Sequence, residues 1–99
     1  MSIKDEIDIQ FNRAMQQADE LEELSGVICS IGSVKINTAL KLLTQSWKGE
    51  NALEYTGKVN AIRDRMYGCA ESLKETSDLI RVTAGRIYAA EMAAIRMIG

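Results

Sequence analysis

Cys29 and Cys69 are the chain's only thiols, and no histidine accompanies them. A thiol attacks as its thiolate, which a neighbouring imidazole ordinarily generates, so cysteine catalysis of the usual kind has no base to work with. Zinc asks for four closely spaced Cys, His or carboxylate ligands, and that set is missing too. The residue types therefore point away from an enzyme and imply no metal and no cofactor. Both cysteines read as small apolar core residues. What remains with positional character is Trp47-Lys48-Gly49, near the midpoint of the 99 residues. An indole offers a large apolar face with one N–H donor, and glycine lets a chain reverse through positive φ. Such chemistry is recognition and turn formation.

Charge narrows the partners. Twelve Lys and Arg against 14 Asp and Glu leave a net charge of −2. The bases are interspersed with acids, so no basic stripe exists to displace counterions from phosphates, and nucleic acid is not an expected partner. The start, Met1-Ser2-Ile3-Lys4-Asp5-Glu6, is charged and lacks the apolar run of a secretory signal. The expectation is synthesis in the cytoplasm without a signal peptide. No stretch reads as the roughly 20 apolar residues that span a bilayer, so membrane insertion is not expected.

The elements that must position these residues are helical. Proline is absent, 46% of residues are hydrophobic and only 5% aromatic, a composition suited to long uninterrupted helices with an aliphatic core. Alternating steps of three and four from Ala52 give Tyr55, Val59, Ile62, Met66, Cys69, Leu73, Thr76, Ile80, Thr83, Ile87, Ala90, Ala94 and Met97. This heptad spacing predicts a long helix packed against a partner helix. Ile7, Phe11, Ala14, Ala18, Leu21, Leu24, Ile28 and Ile31 form a second stripe, and Ile36, Leu40, Leu43 and Trp47 a third, offset by one residue. Glycines and serines crowd the offset, so a kink or register shift is expected near Gly32. A true break there, giving three helices, is the competing reading. Ser2 and Asp5 resemble a capping box.

The polar, glycine-bearing run at 46–51 is the natural bend. The fold predicted is all-α: a single helical-hairpin domain over 1–99, with helix 1 at 3–45, kinked within 26–33, a turn at 46–51 and helix 2 at 52–96. Folding about Gly49 sets Leu43 near Tyr55, Ile36 near Ile62 and Cys29 near Cys69. It also brings Asp19, Glu20, Glu22 and Glu23 beside Lys74 and Arg81. The expected seam comprises Ile36, Leu40, Leu43, Tyr55, Val59, Ile62, Met66, Cys69, Leu73, Ile80 and Ile87. Level cysteines leave two states open, a bridge or the free thiols that a cytoplasmic origin favours.

Two helices bury only their facing stripes. Met15, Leu42, Leu53, Leu79, Val82, Tyr88, Met92, Ile95 and Ile98 lie beside those stripes, and a lone hairpin has little core. The surplus predicts a second hairpin alongside, completing a four-helix bundle. The alanine- and methionine-rich C-terminal segment is an expected partner surface, with Tyr88, Glu91, Met92 and Ile95 at its centre.

The chain length, the two helices and Trp47-x-Gly49 at their junction together resemble the WXG family of small, early-secreted-antigen-like proteins of type VII secretion. The resemblance covers the whole chain in architecture, and in motif only Trp47 and Gly49. It implies dimerisation with itself or a similar small helical protein, and export or the targeting of a larger effector through that effector's helical N-terminal domain, as with toxins of the LXG type. Many such pairs carry a C-terminal Tyr-x-x-x-Asp/Glu secretion signal on one partner. Here Tyr88-Ala89-Ala90-Glu91 is one residue short and Met92 stands at the acidic position, so the resemblance favours a chain that travels with a partner. The competing functions are a cytoplasmic helical adaptor or chaperone, and a self-assembling helical-hairpin subunit.

Overall fold

The computed structural model describes residues 2–46 and 49–98. Helix α1 spans Ile3–Ser30, a π-helical segment follows at Ile31–Ile36, α2 covers Asn37–Ser46, and α3 runs over Glu50–Ile98. The protein is an all-helical hairpin. Its entry is fixed by a reciprocal capping box. The Asp5 amide donates to Ser2 Oγ at 3.1 Å and the Ser2 amide donates to Asp5 Oδ2 at 3.3 Å, satisfying amides that no helical carbonyl can reach. Gly49 precedes α3 with φ of 115°, a conformation that costs a side-chain-bearing residue and suits glycine. Its carbonyl accepts the Leu53 amide at 3.1 Å. Trp47, expected at the turn, lies outside the described residues.

The chain divides into two compact units, Met1–Glu22 with Lys74–Gly99, and Glu23–Leu73. In the first, which holds both ends of the chain, rising numbers in α1 meet falling numbers in α3, so the helices are antiparallel. The Tyr88 hydroxyl donates to Asp8 Oδ1 at 2.9 Å, and the Phe11 and Tyr88 rings stand 4.7 Å apart. Arg81 Nη2 reaches Asp19 at 2.8 Å and Glu22 at 2.6 Å, while Lys74 Nζ meets Glu22 at 2.7 Å. Of the acidic run expected beside Lys74 and Arg81, Asp19 and Glu22 make these contacts. Ala18 and Ser77 are completely buried between the helices.

In the second unit, Ser25 Oγ donates to the Ala70 carbonyl at 2.6 Å and both residues are buried. Gly32 lies under the Tyr67 ring so closely that a Cβ there would stand 2.9 Å from Cε1. Arg63 Nη1 donates to Asn37 Oδ1 at 2.7 Å. The π-helical turn explains the offset between apolar stripes. Ala18, Ser25 and Gly32 are buried at seven-residue intervals, yet the next buried position is Leu40, while Ala39 is exposed. A π turn holds one more residue than an α turn and shifts the inward face by that residue without ending the helix.

The seam differs from the one read off the sequence. Leu40 is buried and Ile36, Leu43, Val59, Met66, Leu73 and Ile80 are half-buried, but Tyr55, Ile62, Cys69 and Ile87 are exposed. The inward positions on α3 follow each shared one by four residues instead of three: Thr56, Arg63, Ala70, Ser77 and Ala84. Apart from Arg63, the side chains there are small and let the helices approach closely, and Tyr55, Ile62 and Cys69, one place earlier, are turned about 100° out of the interface. Arg63 lies half-buried in this seam. Cys29 and Cys69 are exposed free thiols, which corrects their assignment to the core.

Candidate partner-binding groove

The unit formed by the two chain ends carries the best-defined concave surface. Three clefts succeed one another along one side. The middle one is walled by Ile7, Phe11, Ala14, Ala84, Ile87, Tyr88 and Glu91. It shares Ile7, Gln10 and Glu91 with a second, which continues to Ile3, Glu6, Ala94, Ile95 and Ile98. It shares Ala14, Ala84 and Ile87 with a third, which adds Leu79, Ile80 and Thr83. The result is one apolar groove. Alanines and a threonine keep its floor low, and aliphatic residues form its walls.

The same unit puts its ions elsewhere. Leu79 and Thr83 each lie two positions from Arg81, about 200° around α3, so the groove and the Asp19–Glu22–Lys74–Asp78–Arg81 cluster occupy different sides. Hydrogen bonds from Lys74 and then Arg81 hold the Glu22 carboxyl below its ordinary value. Glu22 in turn raises the Lys74 ammonium, with a smaller contribution from Asp78. Arg81 is raised by its bonds to Asp19 and Glu22. These pairs are largely exposed and contribute modestly one by one, but Arg81, with its side chain 24% exposed, ties three acids into one network. The cluster sets how α1 meets α3 and leaves the groove side free of saturated charge.

The four residues singled out near the C-terminus divide between roles. Tyr88 is half-buried, stacked on Phe11, and its hydroxyl is raised in pKa chiefly by donating to Asp8, then by desolvation. It holds the hairpin together and gives one edge to the groove. Glu91 is half-buried and lines two clefts, and among the described residues no hydrogen bond or ion pair reaches its carboxylate. Ile95 lines the groove end; Met92 is half-buried and does not line it. Sequence reasoning missed Ala14, Ala84 and Thr83 as groove floor. For Ala84 the available signal was its place seven residues after Ser77 and fourteen after Ala70.

Beyond the groove, large apolar residues are exposed in both units: Leu79 at 65% and Ile98 at 88% in the first, Leu42 at 59% and Leu53 at 74% in the second. Leu42, Leu53, Leu79, Val82 and Ile98 of the expected surplus are exposed, whereas Met15, Tyr88, Met92 and Ile95 are half-buried. Ile3–Ser46 also contains an 18-residue window of mean hydropathy 1.3, only 6% of it buried. By length and composition that helical stretch is apolar enough to cross a membrane, where the sequence reading expected none. Among the described residues no cluster of His, Cys, Asp or Glu could hold a metal ion. Comparison with family models, with curated proteins and with solved structures gives no match for this chain.

Proposed function

We propose that this chain is a non-enzymatic binding protein that works by helix–helix association. Its nearest functional likeness is to type VII secretion substrates or effector-targeting adaptors of the WXG kind. The observation that carries the reading is the continuous apolar groove from Ile3 and Ile98 to Leu79, on a protein that also exposes Leu42, Leu53, Leu79, Val82 and Ile98. An exposed apolar surface of this length marks an interaction site, and a helix laid into a groove between two helices is the simplest way to cover it. Docking a second hairpin there completes a four-helix bundle. Trp47 and Gly49 at the midpoint, and export without a signal peptide, come from the resemblance and supply the secretion part of the proposal.

Two measurements test it. Ile87→Lys and Leu79→Lys place a charge in the groove and should abolish partner association while leaving far-UV helicity intact. In a host with a type VII system, disabling its ATPase should remove from the culture supernatant either this chain or the effector it accompanies. Unchanged export of both refutes the secretion part and leaves a cytoplasmic adaptor. A second reading, association with a lipid surface, is favoured by the apolar window within Ile3–Ser46. Co-flotation with anionic vesicles that survives Ile87→Lys would support it.

A further inference from the structure

The groove's charges say what kind of helix fills it. Among the described residues lining the three clefts, only Glu6 and Glu91 are charged, and none is a Lys or Arg. Glu91 is half-buried and shares its clefts with Ile7, Phe11 and Ile95, and among the described residues its carboxylate has no hydrogen-bond or ion-pair partner. A carboxylate in such surroundings loses hydration without compensation when the groove is covered, unless the covering surface brings a cation.

A second copy applied groove to groove cannot bring one. In a two-fold interface both partners present the same patch, and this patch is acidic and apolar only. From the resting groove, therefore, we infer that the occupant is a helix of a different protein, bearing an apolar ridge interrupted by an arginine or lysine that pairs with Glu91. The inference rests on the groove reading above and makes it heteromeric. The groove extends along α3 from Leu79 to Ile98, about 28 Å at ~1.5 Å per residue, so it accommodates about five helical turns of partner. Ala14, Ala84 and Ala94 on its floor admit leucine-sized ridge residues.

The test uses synthetic amphipathic helices of that length with a leucine ridge, one ridge position being Arg and stepped along the series, and a matched series carrying Glu instead. Binding to the full chain is read by fluorescence anisotropy, and the mass of the chain alone by sedimentation equilibrium. The expected result is that the best Arg probe binds about tenfold or more tightly than its Glu twin, the size of a charge-assisted hydrogen bond. In Glu91→Gln, with helicity unchanged, that preference should largely vanish. Arg and Glu probes binding equally well overturns the cation pairing and leaves the groove reading standing. A chain that is already a dimer, is dissociated by Ile87→Lys and binds no probe overturns the heteromeric occupant in favour of a second copy. A monomer that binds no probe overturns both the inference and the groove reading.

Discussion

At the scale of single residues, two buried hydroxyls make opposite contributions. Ser25 Oγ satisfies its hydrogen-bonding capacity on the Ala70 carbonyl, whereas the fully buried Ser77 Oγ has no partner. Removing a made hydrogen bond costs about 1 kcal/mol, and removing an unmade one recovers a desolvation penalty of about the same size or more. Ser25→Ala should therefore lower the denaturation midpoint and Ser77→Ala should raise it, in urea titrations followed by circular dichroism. Two glycines give a second contrast. A Cβ at Gly26 meets nothing within 4 Å, while one at Gly32 meets Tyr67 Cε1 at 2.9 Å. Gly26→Ala should stabilise by up to about 1 kcal/mol through helix propensity. Gly32→Ala should instead destabilise, because overpacking of about 1–3 kcal/mol exceeds that gain. Replacing Tyr67 by Leu should reverse the sign at position 32, as thermal unfolding of the double variant would show. None of these four residues stood out in the apolar pattern, since stripe reading looks for large side chains and this seam is lined by small ones.

At the scale of elements, the ion cluster joining α1 to α3 sets a pH window. Glu22 is depressed from 4.5 in the folded protein, so its contribution is present above that value and is lost as pH falls through the folded one. Lys74 is raised from 10.5, so its contribution is present below that value and is lost as pH rises through the folded one. The difference in midpoint between the protein and Glu22→Gln should be constant near neutrality and shrink on acidification below pH 4.5. A difference that stays constant down the acid limb would show that Glu22 titrates alike in both states. The elements were the most legible part of the sequence. The absence of proline, the Ser2–Asp5 cap, the bend at Gly49 and the alignment of Glu22 with Lys74 could all be read directly. The one-residue offset before Ile36 was readable as a disturbance, but its π-helical form was not. Kink, break and π turn leave the same trace in an apolar pattern and differ only in backbone hydrogen bonding. The seam was displaced for a related reason. Steps of three and of four from Ala52 both keep to one helical face, and side-chain size drew the choice to Tyr55, Ile62 and Cys69. Close approach of the helices selects Thr56, Arg63 and Ala70 instead.

At the scale of the whole molecule, the protein has a net charge of −2 and a row of exposed aliphatic residues, so its stability and its association are coupled. A partner that binds only the folded form raises the unfolding midpoint with its concentration, by about 2.7 kcal/mol at one hundred times its dissociation constant. Differential scanning calorimetry with increasing amounts of an Arg-bearing groove helix should show that rise, and Leu79→Lys should suppress it. The groove itself was only half visible beforehand. Surplus apolar residues near the C-terminus announced an interface, and Tyr88, Glu91 and Ile95 were among those marked. The part played by the N-terminal residues Ile3, Ile7 and Gln10 was not visible, because their place opposite Ala94 and Glu91 depends on chain reversal and on which face of α1 turns inward.

The π-helical turn at Ile31–Ile36 has a consequence for descent. The helix takes in one extra residue at this turn and still keeps the faces on both sides of it inward. Any chain of common origin that lacks the extra residue would match this one in a single frame up to Ser30 and in the neighbouring frame from Asn37 onward. A comparison that holds one heptad frame throughout aligns core with surface on one side of the turn. Kinship in such proteins is better sought in two segments, with a gap placed inside the helix.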